Sequence, residues 1–216
     1  MSERINVLGI EINNYTAKEA MQRVVEYMKR DSLQVVARMT PKSIKHLMDE
    51  PEYVSQLEDY EIVLLESKEL LQTAGIFDKQ LIKEIEDQTF FRLFGRYLHK
   101  NQKKVFLLAE TTLLLREMQS FIMTKFPKIT VEGTVVMEEH TASEDMIVNA
   151  INMADADCII AAVSSPTQER FVKKYRTALN AKIWMGFGVE FAKNDSRSLL
   201  VILKEFVEKN ILKRTS

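Results

Sequence analysis

Cysteine occurs once in this chain, at Cys158, so no intrachain disulfide can form. That residue lies in the apolar run Cys158–Val163, where a thiol behaves as a small core residue, and an unpaired thiol suits a reducing compartment. Glycine and proline are scarce, 6 and 4 in 216 residues, which excludes collagen-like repeats and long flexible linkers. No apolar run approaches the length of a membrane span, and the opening MSERINVLGI has no signal-peptide core. The expected setting is therefore cytoplasmic. Charge of one sign is missing too: the formal net charge is -1, which gives no electrostatic case for nucleic acid. The 3 histidines, His46, His99 and His140, are far apart and stand in no metal-ligand spacing. Neither G-x-G-x-x-G nor G-x-x-x-x-G-K-[ST] occurs, so the dinucleotide fingerprint and the P-loop are both absent. No metal and no cofactor is expected.

What is present is an alternation of short apolar runs and capped helical patterns. Strands are expected over Arg4–Ile10, Leu33–Ala37, Glu61–Leu65, Lys104–Leu108, Ile129–Val136, Asp157–Val163 and Ala181–Phe187. Helices are expected from Thr16 to Arg30, Lys42 to Asp49, Asp78 to His99, Thr111 or Thr112 to before Pro127, Ser143 to Met153, and Gln168 to Leu179. Shorter helical pieces follow Pro51 and Ser67, and Ser196 would cap a last helix to Lys209. Such spacing means βαβ units and a mostly parallel sheet covered by helices on both faces. The expected architecture is one α/β, Rossmann-like domain over residues 1–216. Phe90, Phe91, Phe94 and Tyr97 recur at helical spacing, which marks a core stripe rather than a sugar platform.

One stretch organises the rest: DCIIAAVSSPTQER, Asp157 to Arg170. A buried parallel strand runs into a turn and a helix start. Ser165-Pro166-Thr167-Gln168 fits a capping box, with Ser165 as N-cap, Pro166 at the first helical position and Gln168 at the third. The carboxyl end of such a strand is also where α/β sheets bind ligands, and a helix N-terminus there suits an anion such as a diphosphate. A cap and a ligand site are both open readings of these residues.

The order of these pieces resembles the WecG/TagA/CpsF family of bacterial glycosyltransferases. The markers are Asn6–Ile10, Thr16–Ala20, Thr40-Pro41, Val105–Leu108, Gly133, Ser164-Ser165-Pro166-x-Gln168-Glu169, Ala181-Lys182 and Gly186-x-Gly188, spanning Asn6 to Phe191. The resemblance implies transfer of a hexosamine-type sugar from a UDP-sugar to a lipid-linked acceptor in cell-envelope polysaccharide synthesis. It implies a place in the cytoplasm or at the inner face of the membrane, and allows a homo-oligomer or a pairing with an active transferase. It puts Glu66 where the family has its proposed general-base Asp. It puts Arg38, Thr40, Ser165, Gln168 and Glu169 at substrate-binding positions.

The departures are specific. Where the family has T-x-N-P, this chain has Arg38-Met39-Thr40-Pro41. Where it has L-P-D-G, this chain has Leu65-Glu66-Ser67. Glu66 can still take a proton from a hydroxyl, but its extra methylene moves the carboxylate by roughly an ångström, and misplacement of that size can cost about a hundredfold. Two glycines after the strand at Val105–Leu108 become Ala109 and Glu110, which would set a negative charge beside a diphosphate. A G-S-D element is not recognisable around Glu86–Gln88. The family's basic C-terminal appendage is not matched at Ile211–Ser216. Two readings follow, a divergent transferase and a catalytically degenerate paralogue that binds a partner. A Glu66 opening on a cleft shared with Thr40 and Gln168 would favour the first. A Glu66 locked to Arg38 would favour the second.

Overall fold

The computed structural model describes residues 4–140 and 143–189. The chain opens on a hairpin of β1 (Arg4–Val7) and β2 (Ile10–Asn13) and continues with α1 (Ala17–Tyr27), β3 (Gln34–Met39), α2 (Pro41–Asp49) and a 3-10 segment over Pro51–Asp59. Next come β4 (Ile62–Leu65), α3 (Lys68–Thr73), α4 (Lys79–Glu86), α5 (Thr89–Lys100), β5 (Lys104–Ala109) and α6 (Thr112–Lys125). The described part closes with β6 (Thr130–Val136), a 3-10 turn over Met137–His140, α7 (Glu144–Met153), β7 (Cys158–Ala162), α8 (Thr167–Tyr175) and β8 (Ile183–Gly186).

Among the described residues, six strands form one sheet in the order β4-β3-β8-β7-β5-β6, and every pairing is parallel. Parallel pairing puts all six carboxyl ends on one edge. The strands β4, β7 and β8 read as apolar because both faces are covered, whereas the edge strand β6 is largely exposed over Thr130–Thr134. In β7, Ile159 and Ala161 pack on the core under α2, α7 and α8, while Cys158, Ile160 and Ala162 pack under α1, α5 and α6. The expected α/β architecture with helices on both faces is the observed one. Cys158 is fully buried, and burial pushes its thiol pKa up.

Local chemistry explains the boundaries. Thr16 and Glu19 close a capping box on α1: Thr16 Oγ1 accepts from the Glu19 amide at 3.3 Å, and Glu19 Oε2 accepts from the Thr16 amide at 2.9 Å. Thr40, Ser67 and Thr111 cap α2, α3 and α6 through their hydroxyls. Three expectations are corrected. The first strand is a hairpin, because Leu8 and Gly9 both take positive φ, 54° and 89°, as a two-residue turn requires. The helix over Asp78–His99 is two helices, broken where Gln88 adopts a left-handed φ of 50°. Ser165 is not the cap of α8: Pro166 holds that position, and no side chain among the described residues caps the helix. The Ser165 hydroxyl turns instead to Glu169. The helix expected after Ser196 lies outside the described residues.

Candidate active site

At the carboxyl edge, the end of β4 delivers Glu66 and the end of β3 delivers Arg38, one strand over. The Arg38 guanidinium donates to Glu66 Oε1, and both side chains are mostly buried, 10% and 16% exposed. Arg38 also lies over the ring of Phe187, 4.7 Å from its centroid, and 5.8 Å from that of Phe91. Rings on a guanidinium favour its charge, while burial lowers its pKa. The second carboxylate oxygen, Glu66 Oε2, is buried and has no hydrogen-bond partner among the described residues.

The pair lines a cleft whose other walls come from the β1–β2 hairpin, α4 and the start of α5, including Tyr15, Leu81, Glu84, Gln88 and Phe90. The hairpin is pinned there because Asn13 Oδ1 accepts the amide of Val63 at 2.7 Å, taking a ladder position on the edge strand β4. The cleft has a volume of about 70 Å3.

Thr40 and Gln168 do not line this cleft. Thr40 is 4% exposed, and its hydroxyl accepts the Ser43 amide and meets the Ser43 hydroxyl, both at 3.1 Å. Ser165, Gln168 and Glu169 are 3%, 3% and 0% exposed and bond to one another. Glu169 Oε1 accepts from Ser165 Oγ at 3.1 Å and from Gln168 Nε2 at 3.4 Å. Gln168 Oε1 accepts the Trp184 indole N–H at 3.3 Å. His46 Nδ1 lies 2.8 Å from the Ser165 carbonyl. Burial lifts the Glu169 carboxyl to about 7, against the opposing pull of its hydrogen bonds. Nearby Tyr60 is pushed up as well, by burial first and the Glu169 charge second. Glu169 Oε2 and the Tyr60 hydroxyl both lack a partner among the described residues. In this state the three side chains form a sealed polar seam under α8.

Glu110 follows β5 and reaches across to the end of β7, where its Oε2 accepts the Ser164 amide at 2.7 Å. Its carboxylate thus sits on a turn amide of the stretch for which the sequence leaves a cap and an anion site both open. Sequence reasoning missed the aromatic bracket on Arg38, the hairpin and α4 walls, the His46 and Trp184 contacts to the seam, and the buried Tyr60 near it. The signal for Phe91 was present, but its helical spacing pointed to core, and it serves as both.

The described residues hold no group of three or more His, Cys, Asp or Glu arranged for a metal ion, and no helix among them is long and apolar enough to cross a membrane. A sequence model of the Glycosyl transferase WecG/TagA/CpsF family matches residues 5–192. The chain belongs to that family. Two relatives from Staphylococcus aureus, of strains MRSA252 and NCTC 8325 / PS 47, are both named N-acetylglucosaminyldiphosphoundecaprenol N-acetyl-beta-D-mannosaminyltransferase. They are 18% and 17% identical to this chain over 190 residues, which cover 86% of it and 73% of each relative. In this member of the WecG/TagA/CpsF family, Glu66 and Arg38 pair at the carboxyl edge of the sheet.

Proposed function

We propose that this chain is a divergent glycosyltransferase of cell-envelope polysaccharide synthesis. It moves a hexosamine-type sugar from a UDP-sugar to a lipid-linked acceptor at the cytoplasmic face of the membrane. The observation that carries this reading is the carboxylate oxygen supplied by Glu66, a residue at the end of β4 that lines the cleft at the carboxyl edge. Such an oxygen can take a hydroxyl proton. In the step, the acceptor oxygen bonds to the anomeric carbon as its proton passes to Glu66. The bond from that carbon to the phosphate oxygen breaks, and UDP leaves with the electron pair. Thr40 holds the α2 start, and the Ser165–Gln168–Glu169 seam holds the α8 start, at the edge where the donor binds. No metal or cofactor is required in this scheme.

A second reading is favoured by the Arg38–Glu66 ion pair together with the small cleft. Here the chain is a catalytically silent paralogue that binds a partner, such as an active transferase or its own copy. Titration of UDP and UDP-N-acetylhexosamines by calorimetry or thermal shift separates the two. The transferase binds them saturably. A silent scaffold without a nucleotide site gives neither heat nor shift.

A further inference from the structure

Arg38 is a buried cation whose hydrogen bond goes to the very carboxylate assigned as base. A carboxylate paired with a guanidinium is a poor base, because the neighbouring charge stabilises its ionised form. An unpaired carboxylate in the same buried place is a much stronger one, because burial disfavours that form. The strength of Glu66 as a base is therefore set by where Arg38 points. A guanidinium is also the side chain best matched to phosphate oxygens, through paired N–H donors.

We propose that Arg38 is a ligand-operated latch on Glu66. This rests on the transferase reading above. Without ligand, Arg38 holds Glu66 Oε1 and keeps the base weak. A diphosphate arriving at the carboxyl edge takes the guanidinium, which stays seated against Phe187 and Phe91. Glu66 is left without its counter-ion, and its affinity for the acceptor proton rises. Binding energy from the donor is thereby converted into base strength, realised only once the donor is in place. Among the described residues, the other titratable side chains on the cleft are Tyr15 and Glu84, and Glu84 Oε2 is already engaged by the Ala17 amide at 2.6 Å. Neither replaces Arg38 as a cation for Glu66. Arg38 acts through Glu66, so it is a positioning residue rather than a catalytic one.

The test uses the full chain and reads protons. UDP and inorganic pyrophosphate are titrated by calorimetry in buffers of different ionisation enthalpy, at a pH between the ordinary carboxylate range and neutrality. The latch predicts net proton uptake on binding in the wild type, because Glu66 loses its cation. That uptake disappears in both Arg38→Thr and Glu66→Gln, and pyrophosphate affinity falls at least tenfold in Arg38→Thr. For turnover, the acid limb of kcat/KM, which reports the free enzyme, lies at lower pH than the acid limb of kcat, which reports the complex. In Arg38→Thr the two limbs coincide. Binding without proton uptake, or unchanged pyrophosphate affinity in Arg38→Thr, overturns the latch and leaves the transferase reading standing. No binding of either probe to the wild type overturns both. A merely structural Arg38 would change stability without bringing the two limbs together.

Discussion

Gln168 occupies the space that a side chain at residue 186 would need: a Cβ built on Gly186 would lie 2.1 Å from Gln168 Oε1. That oxygen accepts from Trp184, two residues earlier on the same strand. The glycine therefore gives the polar seam under α8 its room, and the seam fixes the start of α8 against β8.

Gly186→Ala should displace the Gln168 carboxamide and destabilise the fold by about 1–3 kcal/mol, the usual cost of overpacking a close-packed site. Urea unfolding measures it. In Gly186→Ala/Gln168→Ala the clash is gone, so the cycle should show strong coupling, with the double variant less damaged than the sum of the two singles.

Glu169 makes stability depend on pH. Its folded value, about 7, lies above the ordinary 4.5. The folded state therefore holds a proton that the unfolded chain gives up first. The resulting stabilisation is fully present below the ordinary carboxylate range and is lost as pH rises through the folded value. The loss is on the order of 3 kcal/mol at about 1.4 kcal/mol per pKa unit. Glu169→Gln should flatten the slope of unfolding free energy across that window.

Glu110 is predicted to exclude anions from the turn after β7. Its Oε2 already takes the Ser164 amide. Glu110→Gly, combined with Ala109→Gly, should free that amide and raise affinity for UDP. It should also cost about 1.5–3 kcal/mol for the lost charged hydrogen bond. A folded double variant with no gain in UDP affinity would mean that Glu110 is not the obstacle.

The layers of this fold were legible because the evidence is local and repeated. Caps at Thr16, Thr40, Ser67 and Thr111 precede helical patterns, and the runs at Val105–Leu108 and Cys158–Val163 are apolar on both faces, as buried parallel strands are. The first hairpin was not legible, because Leu8 is an unusual residue at positive φ and hides the turn that Gly9 alone suggests. The Ser165 cap failed for a different reason. Its motif has the right residue types, but Glu169 one turn on competes for the hydroxyl, and sequence spacing cannot rank two partners. The Arg38–Glu66 pairing was foreseeable, since the two stand at the ends of neighbouring strands. The Phe187 and Phe91 bracket around Arg38 depends on packing between β8 and α5, which no short-range pattern encodes.

The central claim is that Glu66 takes the acceptor proton. It is tested most directly by the rate of UDP release from a UDP-N-acetylhexosamine with a lipid-linked acceptor sugar, wild type against Glu66→Gln. Glu66→Gln keeps the size of the side chain and removes the base. The account predicts a fall of about two to four orders of magnitude in Glu66→Gln, the range for a general base, with Glu66→Asp retaining turnover. Equal rates for the wild type and Glu66→Gln would contradict it.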